Sequence, residues 1–479
     1  MKLARRIAAP LLLFALPISV DAQPGSPAGP VPVEYLQARR QALISKIRSG
    51  VAVIRGASEH SNDPPESAYP QATTFRQDND FFYFTGIETH DSWLIVVATD
   101  STRGEAHLFV PPRNPALERW TGAKLGPGAE TAEITGIPAA NIHPADSVQH
   151  YLRRFLGQRG PGSSLWVRRT ERDTGPEFIR NLILRGRGLT VHDLLPVLGQ
   201  LRLVKDADEI RRLTRAVEIT VAGHLAAMQA ARPGVFEYEI EAAAEYTFRR
   251  MGAERLGFPS IVGSGINSTI LHYDQSRRQT AAGDLIVMDL GAEFGYYTAD
   301  VTRTIPVSGR FTPRQREIYE LVLGAQQAAI DAIRPGVTFR ELDQVARQYL
   351  NANSGDKCGP GGCARYFVHG LSHWIGMDVH DVGNGPLAPG MAFTIEPGIY
   401  IPDEALGVRI EDDFLVTATG YLHLSRGAPR TVAEVERAMR GGGQGSGVRS
   451  PESGVRSGST PDSGPRTPDE VIDLTSGRR

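Results

Sequence analysis

"ARPGVFEYEIEAAAEY" at 231–246 and "IRPGVTFRELDQVARQY" at 333–349 share Arg-Pro-Gly-Val, then a Glu, then an aliphatic residue, all at one constant offset. In each copy a long helical pattern runs into the Pro-Gly turn and a second helical pattern leaves it, with strand-like segments beyond. The repeat predicts two similar halves that face each other across a region from about 205 to 440. A site between them would draw residues from both.

Upstream the patterns change. "VAVIRG" at 51–56, "DFFYFTGI" at 80–87, "WLIVVAT" at 93–99 and "AHLFVPP" at 106–112 read as strands. "ADSVQHYLRRFLGQ" at 145–158 puts Val148, Tyr151, Leu152 and Phe155 on one helical face. Strands mixed with helices predict an α/β domain over about 31–200, ahead of the repeat.

The ends carry other signals. Lys2, Arg5 and Arg6 precede the apolar run "AAPLLLFALPISV", and Val20-Asp21-Ala22 offers small residues for cleavage, so 1–22 reads as a secretory signal. The run is too short, and too interrupted by Pro10 and Pro17, for a stable membrane span. Export to a periplasm or beyond is the expectation. It permits a disulfide between Cys358 and Cys363, the only cysteines, across a flexible Gly-Pro-Gly-Gly. After Arg440 the chain turns to Gly, Ser, Pro and isolated charges, which predicts a disordered tail over 441–479. A formal net charge of −2 gives no reason to expect a nucleic-acid partner.

"GDLIVMDLGAEFGYYTADVTRTIPV", 283–307, reads as two strands joined at Phe294-Gly295. With that loop, Asp289 stands directly opposite Asp300, their Cβ atoms roughly 5 Å apart. Two carboxylates facing each other among apolar residues are unfavourable unless they share a proton or a cation lies between them. Further candidate ligands favour the cation. Glu396 precedes Pro397 in "AFTIEPGIYIP", and alternation in "VRIEDDFLV" puts Arg409 and Glu411 on one side. Two Asp from the first half and two Glu from the second suit hard divalent ions.

"YFVHGLSHWIGMDVHDVG", 366–383, adds His369, His373 and His380, with Asp378 and Asp381 alongside. Gly370 follows His369 where a zinc helix would carry Glu, and Gly376 also opposes a helix, so the segment is expected to be strand and loop. One imidazole with four carboxylates makes a five-ligand set for two metals. The other histidines, and His272 in "GSGINSTILHYDQ", are then free to meet substrate.

These motifs, with "FRQDNDFFYFTGIE" at 75–88, resemble aminopeptidase P, the manganese-dependent Xaa-Pro aminopeptidase, over about 35–440. The resemblance implies an α/β N-terminal domain followed by a pita-bread catalytic domain, an α+β fold with an internal pseudo-twofold. It implies two divalent ions, manganese by family habit, held by Asp289, Asp300, His373, Glu396 and Glu411, with Asp300 and Glu411 bridging. It also implies Glu396 as proton shuttle, His380 at the developing oxyanion, and His272 and His369 shaping substrate binding. Tyr400 and Arg409 would line or support the proline pocket. Peptides with Pro at the second position would be the substrates, and a dimer or tetramer the assembly. Three alternatives stand beside this reading: a Xaa-Pro dipeptidase with the same ligands, a metal-free binding module on the same fold, and a two-metal phosphoesterase. The ligand set is complete and few cationic residues flank it, which disfavours the last two.

Overall fold

The structure is a computed structural model that describes residues 26–58, 75–158, 162–186 and 188–440. The proposed signal over 1–22 and the tail over 441–479 lie outside the described residues.

The N-terminal domain is built on a mixed six-stranded sheet. Its strands are β1 (Gly50–Arg55), β2 (Trp93–Ala98), β3 (Gly104–Val110), β4 (Ile142–Pro144), β5 (Ser163–Val167) and β6 (Leu189–Asp193), in the order β4-β3-β2-β1-β5-β6. Both faces of the central strands β1 and β2 are covered, so these two read as nearly unbroken apolar runs. Ala52 and Ile54 join the main core, while Val51 and Val53 pack on the other face with Val148, Leu152 and Phe155, as the helical pattern there predicted.

One expected strand is a helix. "DFFYFTGI" forms the helix Asn79–Thr85, capped at its start by Asp78, which accepts from the Phe81 N–H, and ended by Gly86 at φ +67. The flanking cap residues decided the conformation, because every residue of this helix is buried and no alternation existed to separate helix from strand.

The repeat is structural. The helix Ala207–Ala230 runs into a turn with Gly234 at φ +90 and is followed by Glu237–Arg250; Pro313–Asp331 runs into Gly336 at φ +93 and is followed by Phe339–Asn353. Each pair packs through a glycine beneath an aromatic ring. A Cβ on Gly223 would fall 2.2 Å from Phe248, and one on Gly324 would fall 2.1 Å from the Tyr349 hydroxyl. The first half contributes the sheet of Ile261–Ser264, Leu285–Leu290 and Val301–Pro306. The second contributes Ala392–Ile395 with Asp412–Val416 and Tyr421–His423, and the hairpin Gly398–Ile401 with Leu406–Arg409.

An ionic cluster joins the two domains. Buried Arg202 donates to Asp80 at 2.8 Å, Asp381 at 2.5 Å and Asp378 at 2.7 Å, and Lys205 donates to Asp381 at 3.1 Å. Arg168 adds a second cation to Asp80. Asp378 and Asp381 therefore anchor the segment that carries His380 and stand outside the carboxylate site.

Candidate metal centre

The register of the 283–307 hairpin differs from the expected one. Gly295 and Tyr296, at φ +56 and +74, are the two loop residues, and Asp289 pairs with Thr302 instead of Asp300. A two-residue turn with both central residues at positive φ matches the strand twist, and Tyr296 takes the second such position. Moving the turn by one residue shifts each pairing by two, which preserves side-chain parity. Asp289 and Asp300 thus still converge, diagonally. The ladder breaks at Gly291, where a Cβ would sit 2.2 Å from the Ala299 carbonyl.

The histidine segment is no helix, as expected, but it forms no strand either, only an isolated bridge at Trp374, and it is zipped to the second half. Thr394 N–H donates to the His373 carbonyl at 3.0 Å, and Glu396 N–H to that of Leu371 at 2.9 Å. Glu411 N–H donates to the Thr302 carbonyl at 3.1 Å, which joins the two halves beside the carboxylates.

His373 Nε2 lies 3.3 Å from Asp300, 3.5 Å from Glu396 and 3.7 Å from Glu411. Ligand atoms of His373, Glu396 and Glu411 fall within 4.8 Å of one another, as do those of Asp289, Asp300 and Glu411, and those of Asp300, His373 and His380. Glu411 belongs to the first two triads and Asp300 to the last two. Asp289 Oδ1, Asp300 Oδ1 and Glu411 Oε1 are buried with no hydrogen-bond partner. Such orphaned anionic oxygens are costly, and a hard cation is the partner their chemistry fits.

The electrostatics agree. Burial, then the Glu411 charge, holds the Asp300 and Glu396 carboxyls well above their ordinary range, and burial also raises Glu411. Burial opposes charge on His373, but Asp300 and Glu411 outweigh it and raise the imidazole well above its usual value. The His373 Nδ1 faces the Trp374 carbonyl at 3.1 Å. A carbonyl can only accept, so Nδ1 carries the hydrogen and Nε2 is the atom left for a metal.

A second chain of hydrogen bonds borders this cluster. Buried Arg409 donates to Asp289 at 2.6 Å, to the Tyr400 hydroxyl at 3.0 Å and to Thr302 Oγ1 at 3.0 Å. His369 Nε2 lies 2.9 Å from the Tyr400 hydroxyl, and its Nδ1 lies 2.8 Å from the Gly370 carbonyl. By the same reasoning Nδ1 donates and Nε2 accepts from Tyr400. Burial, with Arg409 nearby, pushes His369 down to about 4, and burial pushes Tyr400 up to about 12. The His380 ring lies tilted against His373 with centroids 4.1 Å apart, and burial lowers it. His272 lies in an exposed loop whose neighbours are gathered by buried Glu237. That carboxylate accepts from Ser264, Asn267, Tyr273 and the Arg278 N–H.

Two contributing residues were not among those expected. Thr302 Oγ1 donates to Glu411 at 2.7 Å, and Asp413 accepts the Asp300 N–H at 3.1 Å. The signal for Asp413 was present in "VRIEDDFLV", since it shares alternation with Glu411. Nothing in sequence marked Thr302 beyond its place in the hairpin.

A pseudo-twofold domain that gathers four carboxylates and an imidazole between its halves has the build of a pita-bread metallopeptidase. Residues 211–418 match the model of metallopeptidase family M24, and residues 36–163 that of the aminopeptidase P N-terminal domain. The chain is 34% identical over 440 residues to the Xaa-Pro aminopeptidase of Escherichia coli, spanning 85% of this chain and 97% of that protein. It is 31% identical to human Xaa-Pro aminopeptidase 3, over 85% of each. The solved structure of Escherichia coli aminopeptidase P with the inhibitor Pro-Leu superposes with a TM-score of 0.78 at 33% identity, covering 86% of this chain and 99% of that one. The chain belongs to the aminopeptidase P family of M24 metallopeptidases.

Proposed function

We propose that this protein removes the first residue from peptides whose second residue is proline, by hydrolysis at a centre of two divalent cations. The observation that carries the reading is the convergence of Asp289, Asp300, His373, Glu396 and Glu411, with three buried oxygens left without partners. These five would hold the ions, Asp300 and Glu411 serving both. Manganese is the proposed metal, since carboxylate-rich sites with one imidazole suit it. When bound, the pair supplies Lewis acidity and lowers the pKa of an attacking water.

The chain's own residues do the rest. Glu396, lying 3.5 Å from His373 and 3.6 Å from His369, accepts the proton of the attacking water and returns it to the proline nitrogen, which must leave protonated. His380, neutral and beside His373, donates toward the oxyanion. Tyr400 and Arg409 fix His369, and His369 with His272 shapes the substrate site. Proline offers no N–H, so selection rests on ring shape and a free N-terminus.

The apolar run behind Lys2, Arg5 and Arg6 supports export to a periplasm or beyond. We assign the N-terminal domain to 31–200, the catalytic domain to 205–440, and a dimer or tetramer as the working form. Protein stripped of metal and reloaded with manganese should release Xaa from a Xaa-Pro-Yaa peptide. Cleavage of a Xaa-Pro dipeptide alone would move the assignment to a dipeptidase, and cleavage of neither would return it to a binding module.

A further inference from the structure

A cavity of about 430 Å³ shares no lining residue with the metal centre. Its charged walls are Arg426, Arg430, Arg437, His423 and one acid, Glu434. Glu434 is committed to its own helix, Val432–Arg440, where it accepts the Thr431 and Arg430 N–H groups at 2.9 and 3.1 Å. Among the described residues no carboxylate oxygen lies within 4.0 Å of the Arg426, Arg430 or Arg437 guanidinium, although Arg430 attracts Glu434 at longer range. Three guanidinium groups and a single carboxylate, Glu434, which the Thr431 N–H with help from the Arg430 charge holds low, therefore border one concavity, leaving an excess of positive charge.

One wall, Arg430 with the Ala428-Pro429 backbone, is held in place. Arg430 donates to Gln326 at 3.2 Å and Gln327 at 2.7 Å, both neutral, so its orientation is set by uncharged partners. The carbonyls of Ala428 and Pro429 accept from Arg303 at 3.2 and 2.8 Å. Arg303 also holds Asp412 and the Glu411 carbonyl, each at 2.6 Å. Gln326 in turn donates to the Ile410 carbonyl and to Asp412. His423 Nε2 faces buried Asp412 at 3.0 Å. A rigid wall spends little ordering entropy on a ligand, and guanidinium forks match the geometry of carboxylate and phosphate.

We infer that this cavity binds a small oxyanion of two or more negative charges, carrying phosphate-like or carboxylate groups. The two sources of that chemistry are separated by testing sulfate and propane-1,2,3-tricarboxylate individually. Thermal unfolding of the full manganese-loaded protein is followed as each replaces chloride at constant ionic strength. At about ten times its dissociation constant, a bound anion should raise the midpoint on the order of 2 to 4 °C and then saturate. Arg426→Gln/Arg437→Gln, both exposed positions, is measured against its own chloride baseline and should need at least tenfold more anion for half the shift. A response to sulfate alone assigns a phosphate-like ligand, and one to the tricarboxylate alone a carboxylate ligand. No saturable shift with either anion, or an equal shift in the double variant, overturns the inference.

Discussion

Stripped of ions, this protein should lose stability as pH rises. In the ion-free cluster Asp300 and Glu396 are held well above the ordinary carboxyl range by burial and by Glu411, and His373 is held above the ordinary imidazole value. The unfolded chain releases these protons near pH 4 to 4.5 for the carboxyls and near 6.5 for the imidazole. Between those values and the raised folded ones the native state binds more protons at these groups, so their contribution is full at low pH and is lost on going up. Depressed His369 and His224 oppose it below about 6.5. One retained proton gives a slope of about 1.4 kcal/mol per pH unit, or about 2.7 kcal/mol between pH 5.5 and 7.5, and His373 steepens it above about 6.5. Cations displace the protons, so manganese should stabilise most where the ion-free protein is weakest. Urea unfolding at pH 5.5, 6.5 and 7.5, with EDTA or with saturating manganese, measures both slopes. EDTA-treated Glu396→Gln, with one fewer titrating carboxyl, should show a shallower fall. EDTA-treated wild type as stable at pH 7.5 as at 5.5 would refute the reasoning.

Glu237→Gln keeps one acceptor oxygen of two and leaves the Arg278 N–H or its counterparts unpaired, at a cost of about 1 to 3 kcal/mol. The loosened His272 loop should raise KM for a Xaa-Pro-Yaa peptide about tenfold while kcat changes less, as steady-state kinetics will read. Tyr400→Phe removes the hydroxyl shared by His369 and Arg409, and kcat/KM should fall about tenfold with a loss of about 1 to 2 kcal/mol in urea unfolding. The Cys358–Cys363 disulfide closes a short loop in front of His369. Its reduction should cost about 2 kcal/mol, visible as a lower urea midpoint in dithiothreitol.

The repeat and the carboxylates were legible because each rests on spacing that survives small errors. The hairpin illustrates this: the expected turn was one residue out, yet parity kept Asp289 and Asp300 on one side. What failed depended on partners distant in sequence. Asp378 and Asp381 looked like companions of the histidines, but Arg202 and Lys205, nearly two hundred residues upstream, claim them. Thr302 matters only because Glu411 and Arg409 meet it across the two halves. The helix at 79–85 was hidden by burial on every side, which erased the periodicity that separates helix from strand.

Arg202 has a consequence for anyone who would take this molecule apart. A fragment beginning at Lys205 would carry Asp381, buried on the segment that bears His380, with one of its two cations removed. An N-terminal fragment cut short of Arg202 would leave Asp80 to Arg168 alone. Breaking a buried pair on one side costs about 3 to 5 kcal/mol, a large share of any domain's stability. The catalytic half is therefore not a portable cassette, and chimaeras should exchange both domains together with the junction that carries Arg202.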